Sequence, residues 1–245
     1  MGPFQIRLMF SLLVFALPMS AQAGTVSSVG SAGVTKGKTA VQIRVGFSDA
    51  DETSSQDQRI RYRQQIDHGF TDWYAGRIVL QQDDRKGDNF EHGSIRLSNR
   101  FHLMKAEDHG FDLGARIEYT HVDGDKTPSN ALIGFYQLIP LNDYEIRFNE
   151  LFSHEVGEDS DDGVGAEFRA QLTRKISDTH KIGLESFNDF GNLTALSGYS
   201  SQQHEVGPII KGKFGNGYSY ETGYRAGISA GAANHNFKFF IGRSF

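Results

Sequence analysis

His235-Asn-Phe-Lys-Phe-Phe-Ile-Gly-Arg-Ser-Phe245 closes the chain. Taking every second residue, His235, Phe237, Phe239, Ile241, Arg243 and Phe245 fall on one side, and Asn236, Lys238, Phe240, Gly242 and Ser244 on the other. Period-two alternation is the pattern of a β-strand with two unlike faces. A strand this apolar at the end of a soluble protein would be a sticky edge. In a membrane barrel it has no edge, because the last strand pairs with the first. The terminal strand implies a wall, and the preceding residues must supply it.

They do so from Thr39 onward. Val41, Ile43, Val45 and Phe47 alternate with Gln42, Arg44, Gly46 and Ser48. Ile60, Tyr62 and Ile66 alternate with Arg59, Arg61, Arg63 and Gln65, and Ile95, Leu97 and Phe101 with Ser94, Arg96, Ser98 and Arg100. Phe111 to Tyr119, Tyr144 to Asn149, Val164 to Leu172, Lys181 to Glu185 and Tyr218 to Ile228 repeat the pattern, with Ala131 to Ile139 apolar on both faces and Val206 to Lys213 weaker. Strands of roughly ten residues suit a tilted membrane crossing. Short connections (67–72, 105–110, 140–143, 177–180, 215–217) alternate with longer, acidic ones (49–58, 83–89, 122–130, 155–163, 189–203, 229–234). Barrels of this kind keep short turns on the periplasmic side and long loops outside. The expected fold is all-β: a transmembrane antiparallel up-and-down β-barrel of about 12 strands over residues 39–245.

Ahead of the barrel, Arg7, the apolar run Leu8 to Leu17 and Ala21-Gln22-Ala23 form the positive region, core and small-x-small cleavage site of an export signal. Residues 1–23 are expected to be a signal peptide, and 24–38 (GTVSSVGSAGVTKGK), Gly/Ser/Val-rich and aperiodic, a flexible segment that serves as a tether, with a plug in the lumen as the other role open to it. Cysteine is absent, which excludes disulfides, thiolate metal sites and a lipid-anchored cysteine. A net charge of −5 argues against a nucleic-acid partner.

The polar faces carry the chemistry. Arg44, Arg61, Arg63, Arg77, Arg96 and Arg100 form a basic wall on the early strands, with Arg59 beside them. Glu118, Glu145, Glu167, Glu185 and Glu221 lie on later strands, interleaved with Arg116, Arg147, Arg169 and Arg225. The planar guanidinium fork suits carboxylate and phosphate. The expected function is a porin-like channel for passive diffusion of small, anionic, hydrophilic solutes, without cofactor or metal. Two alternatives stand beside it. Ion pairs could close the lumen, leaving a structural or adhesive barrel. His92 and Ser94, two apart on one strand face, could serve an envelope lipid hydrolase. The acidic loop Glu155-Val-Gly-Glu-Asp-Ser-Asp-Asp162 lacks the spacing of a calcium loop, the nine His make no metal-site spacing, and Trp73 beside a short turn reads as an interface anchor.

Glu205-Val-Gly-Pro208, Tyr224-Arg-Ala-Gly-Ile-Ser-Ala-Gly231 and Asn234-His-Asn-Phe-Lys238 resemble the ending of small outer-membrane barrels grouped as the phenol-degradation meta-pathway family. The general architecture resembles the narrow twelve-stranded oligosaccharide porins, whose lumens carry arginine tracks for acidic sugars. Phe239, Ile241 and Phe245 resemble the signal read by barrel-assembly machinery. The resemblance implies a multi-pass barrel in the bacterial outer membrane, with outer-membrane lipid, lipopolysaccharide, the assembly machinery and small solutes as partners.

Overall fold

The computed structural model describes residues 25–84, 91–123, 128–158 and 160–245, without the side chains of Glu91 and His92. The expected signal peptide over residues 1–23 lies outside the described residues, as does the His92 side chain.

Twelve strands follow one another: β1 (Thr39–Asp49), β2 (Arg59–Gly69), β3 (Tyr74–Asp84), β4 (Glu91–Met104), β5 (Asp112–Val122), β6 (Ser129–Leu141), β7 (Tyr144–Val156), β8 (Gly165–Lys175), β9 (His180–Asn192), β10 (Gln203–Phe214), β11 (Tyr218–Gly227) and β12 (His235–Ser244). Each pairs antiparallel with its sequence neighbours, and β12 pairs with β1 to close the barrel. Strands of 10 to 14 residues run about 35 Å or more at 3.4 Å per residue. Tilted, they cover the ~25 Å apolar band of a membrane barrel.

The two faces invert the order of a soluble protein. Ile43 is 51% exposed, Leu97 52%, Leu184 57% and Phe239 50%, whereas Arg44 and Arg61 are 6% exposed and Glu185 and Arg225 1%. Large apolar groups outside and ions inside are stable only where the outside is hydrocarbon. β-branched and aromatic side chains on that face also favour the pleated backbone. At the short-turn end, Trp73 and Tyr74 each stack on Phe101, and Phe214 stacks on Tyr218. Trp73 is thus part of an aromatic girdle at the interface level, the place expected for it.

Local chemistry sets the turns. Only Asn142 and Asp143 join β6 to β7, and Asn142 takes a left-handed φ of 53°, which two-residue hairpins require and Asn tolerates. The closing seam is continuous from Ala40 opposite Ser244 to Asp49 opposite His235, and the Phe245 N–H donates to the Thr39 carbonyl at 2.8 Å. Phe239, Ile241 and Phe245 all face outward beside this seam.

Several strands run further than the sequence expectation, and two of these extensions bear on the lumen. Asp67 and Asp83, assigned above to connections, lie inside β2 and β3, in register opposite Arg77 and Arg61. Aspartate disfavours strands mainly because their faces are usually apolar. Here the inner face is ionic, and a cation stands across the ladder.

Placing an arginine on the lipid face should be costly in a way that the same change inside is not. Leu97→Arg is expected to lower unfolding stability in phospholipid vesicles by about 2–4 kcal/mol, the cost of a cation near the bilayer midplane, measured by denaturant titration.

Candidate functional site

The lumen is where this fold concentrates its polar chemistry. Arg59, Arg61 and Arg63 follow at alternate positions of β2 and all point inward. Asp83 takes hydrogen bonds from Arg59 and from Arg61 Nε (2.5 Å) and Nη2 (3.0 Å). Asp67 sits between Arg77 Nε at 2.6 Å and Arg100 Nη1 at 3.2 Å. These arginines thus share the inner face with two aspartates that each hold two of them.

The five glutamates also face inward, and most meet cations outside this group. Glu118 lies 3.3 Å from Arg116 Nε and 3.7 Å from Arg96 Nη1. Glu145 joins Arg147 and Lys181 at 2.8 and 2.9 Å, and Glu167 joins Arg169 at 2.6 Å. Glu185 and Glu221 share Lys238, at 2.7 and 2.9 Å. Glu205, which the sequence analysis left aside, takes the Arg225 Nε–H at 2.8 Å and the Asn236 amide at 2.8 Å. Phe187 completes this group, with Arg225 3.9 Å over its ring and Arg169 5.1 Å. On the inner face of β8 to β12 these ions form a network around one aromatic ring. Its members Lys238 and Glu205 were open to the same period-two reading that found Glu185.

The second departure from expectation concerns residues 24–38. Rather than a free tether, residues 25–35 run inside the barrel. Gly37 N–H donates to the Gly69 carbonyl at the short-turn rim. From there the chain passes into the lumen, where Thr25, Val26, Ser27, Val29 and Ala32 are buried. It makes no ladder of its own. Instead the wall satisfies its carbonyls one after another. Arg44 Nη1 donates to Val26 O (3.1 Å) and Arg63 Nη1 reaches the same atom (3.4 Å). Lys238 donates to Ser27 O, Arg169 to Ser28 O, Arg147 to Val29 O and Asn149 to Gly30 O. Arg100 Nη2 spans Ser31 O (3.1 Å) and Gly33 O (3.3 Å).

The composition of this strap follows from where it lies. A Cβ on Gly30 would stand 2.7 Å from the Tyr136 ring, so only glycine fits. Val29 packs on Phe187, and Ala32 on Tyr136 and Leu151. Serines and glycines elsewhere leave the carbonyls open to the arginines.

The strap and the ion network occupy one side of the lumen. The other side holds a cavity of about 1240 Å³. Its lining reaches from Thr35, His68 and Ser244 at the short-turn end to Ser55, Asp123 and Pro128 at the long-loop end. Twelve Arg and Lys line it against seven Asp and Glu, among them all six residues of the expected basic wall. Ser94 lines it too, facing water rather than lipid. Among the described residues no group of His, Asp and Glu is arranged to hold a metal ion.

No family model matches the chain, and no curated protein does. Solved structures do. The COG4313 outer-membrane channel from Pseudomonas putida F1 superposes with a TM-score of 0.64 at 11% identity, covering 89% of this chain and 100% of that one. The KdgM porin superposes with a TM-score of 0.59 at 9% identity, covering 84% and 99%. This is the fold of the narrow twelve-stranded outer-membrane porins. The NanC porin gives the same TM-score of 0.59 at 9% identity, covering 84% of this chain and 98% of that one.

The strap narrows the lumen, so removing it should widen the path. Deletion of residues 25–34 is expected to raise single-channel conductance in planar bilayers roughly two-fold or more, since bore controls what a barrel of this strand number passes. Gly30→Val, which cannot seat against Tyr136, should move conductance in the same direction.

Proposed function

We propose that the protein is a passive diffusion channel of the bacterial outer membrane that favours small hydrophilic anions. One observation carries the reading: an elongated lumenal cavity lined by twelve cationic and seven anionic side chains, inside a chain whose net charge is −5. Segregating positive charge to the bore of an acidic protein sets up a field that draws anions in and holds cations back.

Ion pairs do not extinguish that field. Asp83 and Asp67 each serve two arginines, and Arg44 and Arg63 donate to amide and carbonyl oxygens rather than to carboxylates. The glutamate–cation network around Phe187 lies on β8 to β12, while the ion pairs of β2 to β5 line an open cavity, which supports a channel over a sealed structural barrel. Shared architecture with the KdgM porin, one structure of which is described as a complex with disordered oligogalacturonate, supports an acidic solute. The inward Ser94 beside Arg96 supports a lining role rather than attack on a membrane lipid.

The test is ionic selectivity. Under a KCl gradient across a planar bilayer, the reversal potential should have the sign of chloride preference. Replacing Arg61, Arg63 and Arg96 together by Ala should shift it toward neutrality or cation preference. Pure folded protein that passes no current would overturn the channel reading.

A further inference from the structure

One residue of β7 breaks the rule of the outer wall. Asn149 and Leu151 both point inward, Asn149 to Gly30 and Leu151 to the cluster with Ala32. Glu150, between them, therefore faces lipid. It stands half-way along the 13 residues Tyr144–Val156. Across the ladders are Phe135 on β6 and Phe168 on β8, with Phe148 and Phe152 on either side along the strand. Every other carboxylate described on the strands faces the lumen or lies at a strand end. Gln137 on β6, also outward and opposite Phe148, donates its amide N–H to Glu150 Oε1 at 3.3 Å. Glu150 Oε2 has no partner, and among the described residues Gln137 makes no other hydrogen bond and no cation pairs with Glu150. An ionisable side chain at this depth of a membrane is rare and marks a functional contact. Hydrocarbon offers it no hydrogen bond, and lipid headgroups stay at the interfaces. Only another membrane-embedded protein surface can complete the bonds of this pair.

We infer that the outer face of β6 to β8 is an interface between two copies of this chain, centred on Gln137 and Glu150. A carboxamide presents a donor and an acceptor side by side. Across a two-fold axis, Gln137 of each copy can therefore give an N–H to the other and take one back. The complement is present in the chain itself, so no different protein is needed to supply it. Ala166 and Ala170 on β8, opposite Phe152 and Phe148, keep the surface shallow beside the pair. Small residues of this kind let membrane-embedded walls approach closely. At the spacings of a sheet, the outer face of three such strands is about 14 Å wide and about 40 Å long. That is roughly 600 Å², near the ~800 Å² that each partner gives to a standard interface. The contact lies on the lipid side and leaves the lumen untouched, so it stands apart from the channel reading above.

The chain has no cysteine, so a single introduced thiol reports on one position. Ile43 faces lipid on β1, on the opposite side of the barrel from β7. In phospholipid vesicles, oxidation of the Phe148→Cys protein is expected to give about five-fold or more disulfide-linked dimer than the Ile43→Cys protein, the scale of a polar contact between membrane-embedded elements. The yield should hold when the vesicles are diluted with excess lipid. Adding Gln137→Leu and Glu150→Leu to Phe148→Cys should lower the yield to that of Ile43→Cys. Leucine suits a lipid-facing position, so this variant is expected to fold. Heat-modifiable gel mobility checks it, with Gln137→Leu alone in its place if the combination does not fold. Gln64→Leu, which removes an outward amide from β2, should leave the Phe148→Cys yield unchanged. Equal yields from the Phe148→Cys and Ile43→Cys proteins, a yield that falls in proportion to lipid dilution, or an unchanged yield without the Gln137–Glu150 pair would overturn the interface. So would a pure protein that stays monomeric in the vesicles, which would leave the pair to a different membrane protein.

Discussion

A closed ladder of twelve strands leaves each side chain only two directions, out to hydrocarbon or in to the bore. Everything else follows from that constraint. Hydrocarbon cannot solvate an ion, so nearly all charge on the spanning strands is driven inward. The interior then holds arginines, lysines and carboxylates at a density that no soluble core of this size would carry. How those charges are satisfied decides whether the barrel is a plug or a path.

Three solutions coexist. In β8 to β12, glutamates and cations neutralise one another around Phe187. On the early strands, Asp67 and Asp83 each hold two arginines in place while leaving net positive charge. Between the two walls, the strap offers neutral carbonyl oxygens. A carbonyl fixes the geometry of a guanidinium without cancelling its charge, unlike a carboxylate in the same position. The strap thus orders the basic wall and narrows the bore, yet preserves the field.

Much of this was legible in the residues themselves. The alternation about Ile43 and Arg44, or Leu97 and Arg96, assigned faces correctly because lipid enforces it at every position. The alternating connection lengths placed the long loops at one end. Asp67 and Asp83 were misplaced because strand propensity reflects ordinary half-buried sheets, and nothing local announces an arginine on the neighbouring strand. The strap read first as a tether, and only second as a plug, for a related reason. Its Gly and Ser composition reads as flexible, since its order comes from partners that lie up to 211 positions away, as in Ser27 and Lys238.

The sequence by itself determined the wall: strand number, which side chains face lipid, and which residues share the lumen, all consequences of a period-two pattern meeting an apolar solvent. Only the tertiary structure decided how that lumen is divided. Pairing among inward ions depends on register around a closed circuit and on a segment threaded through its middle, and neither distance is written in local spacing.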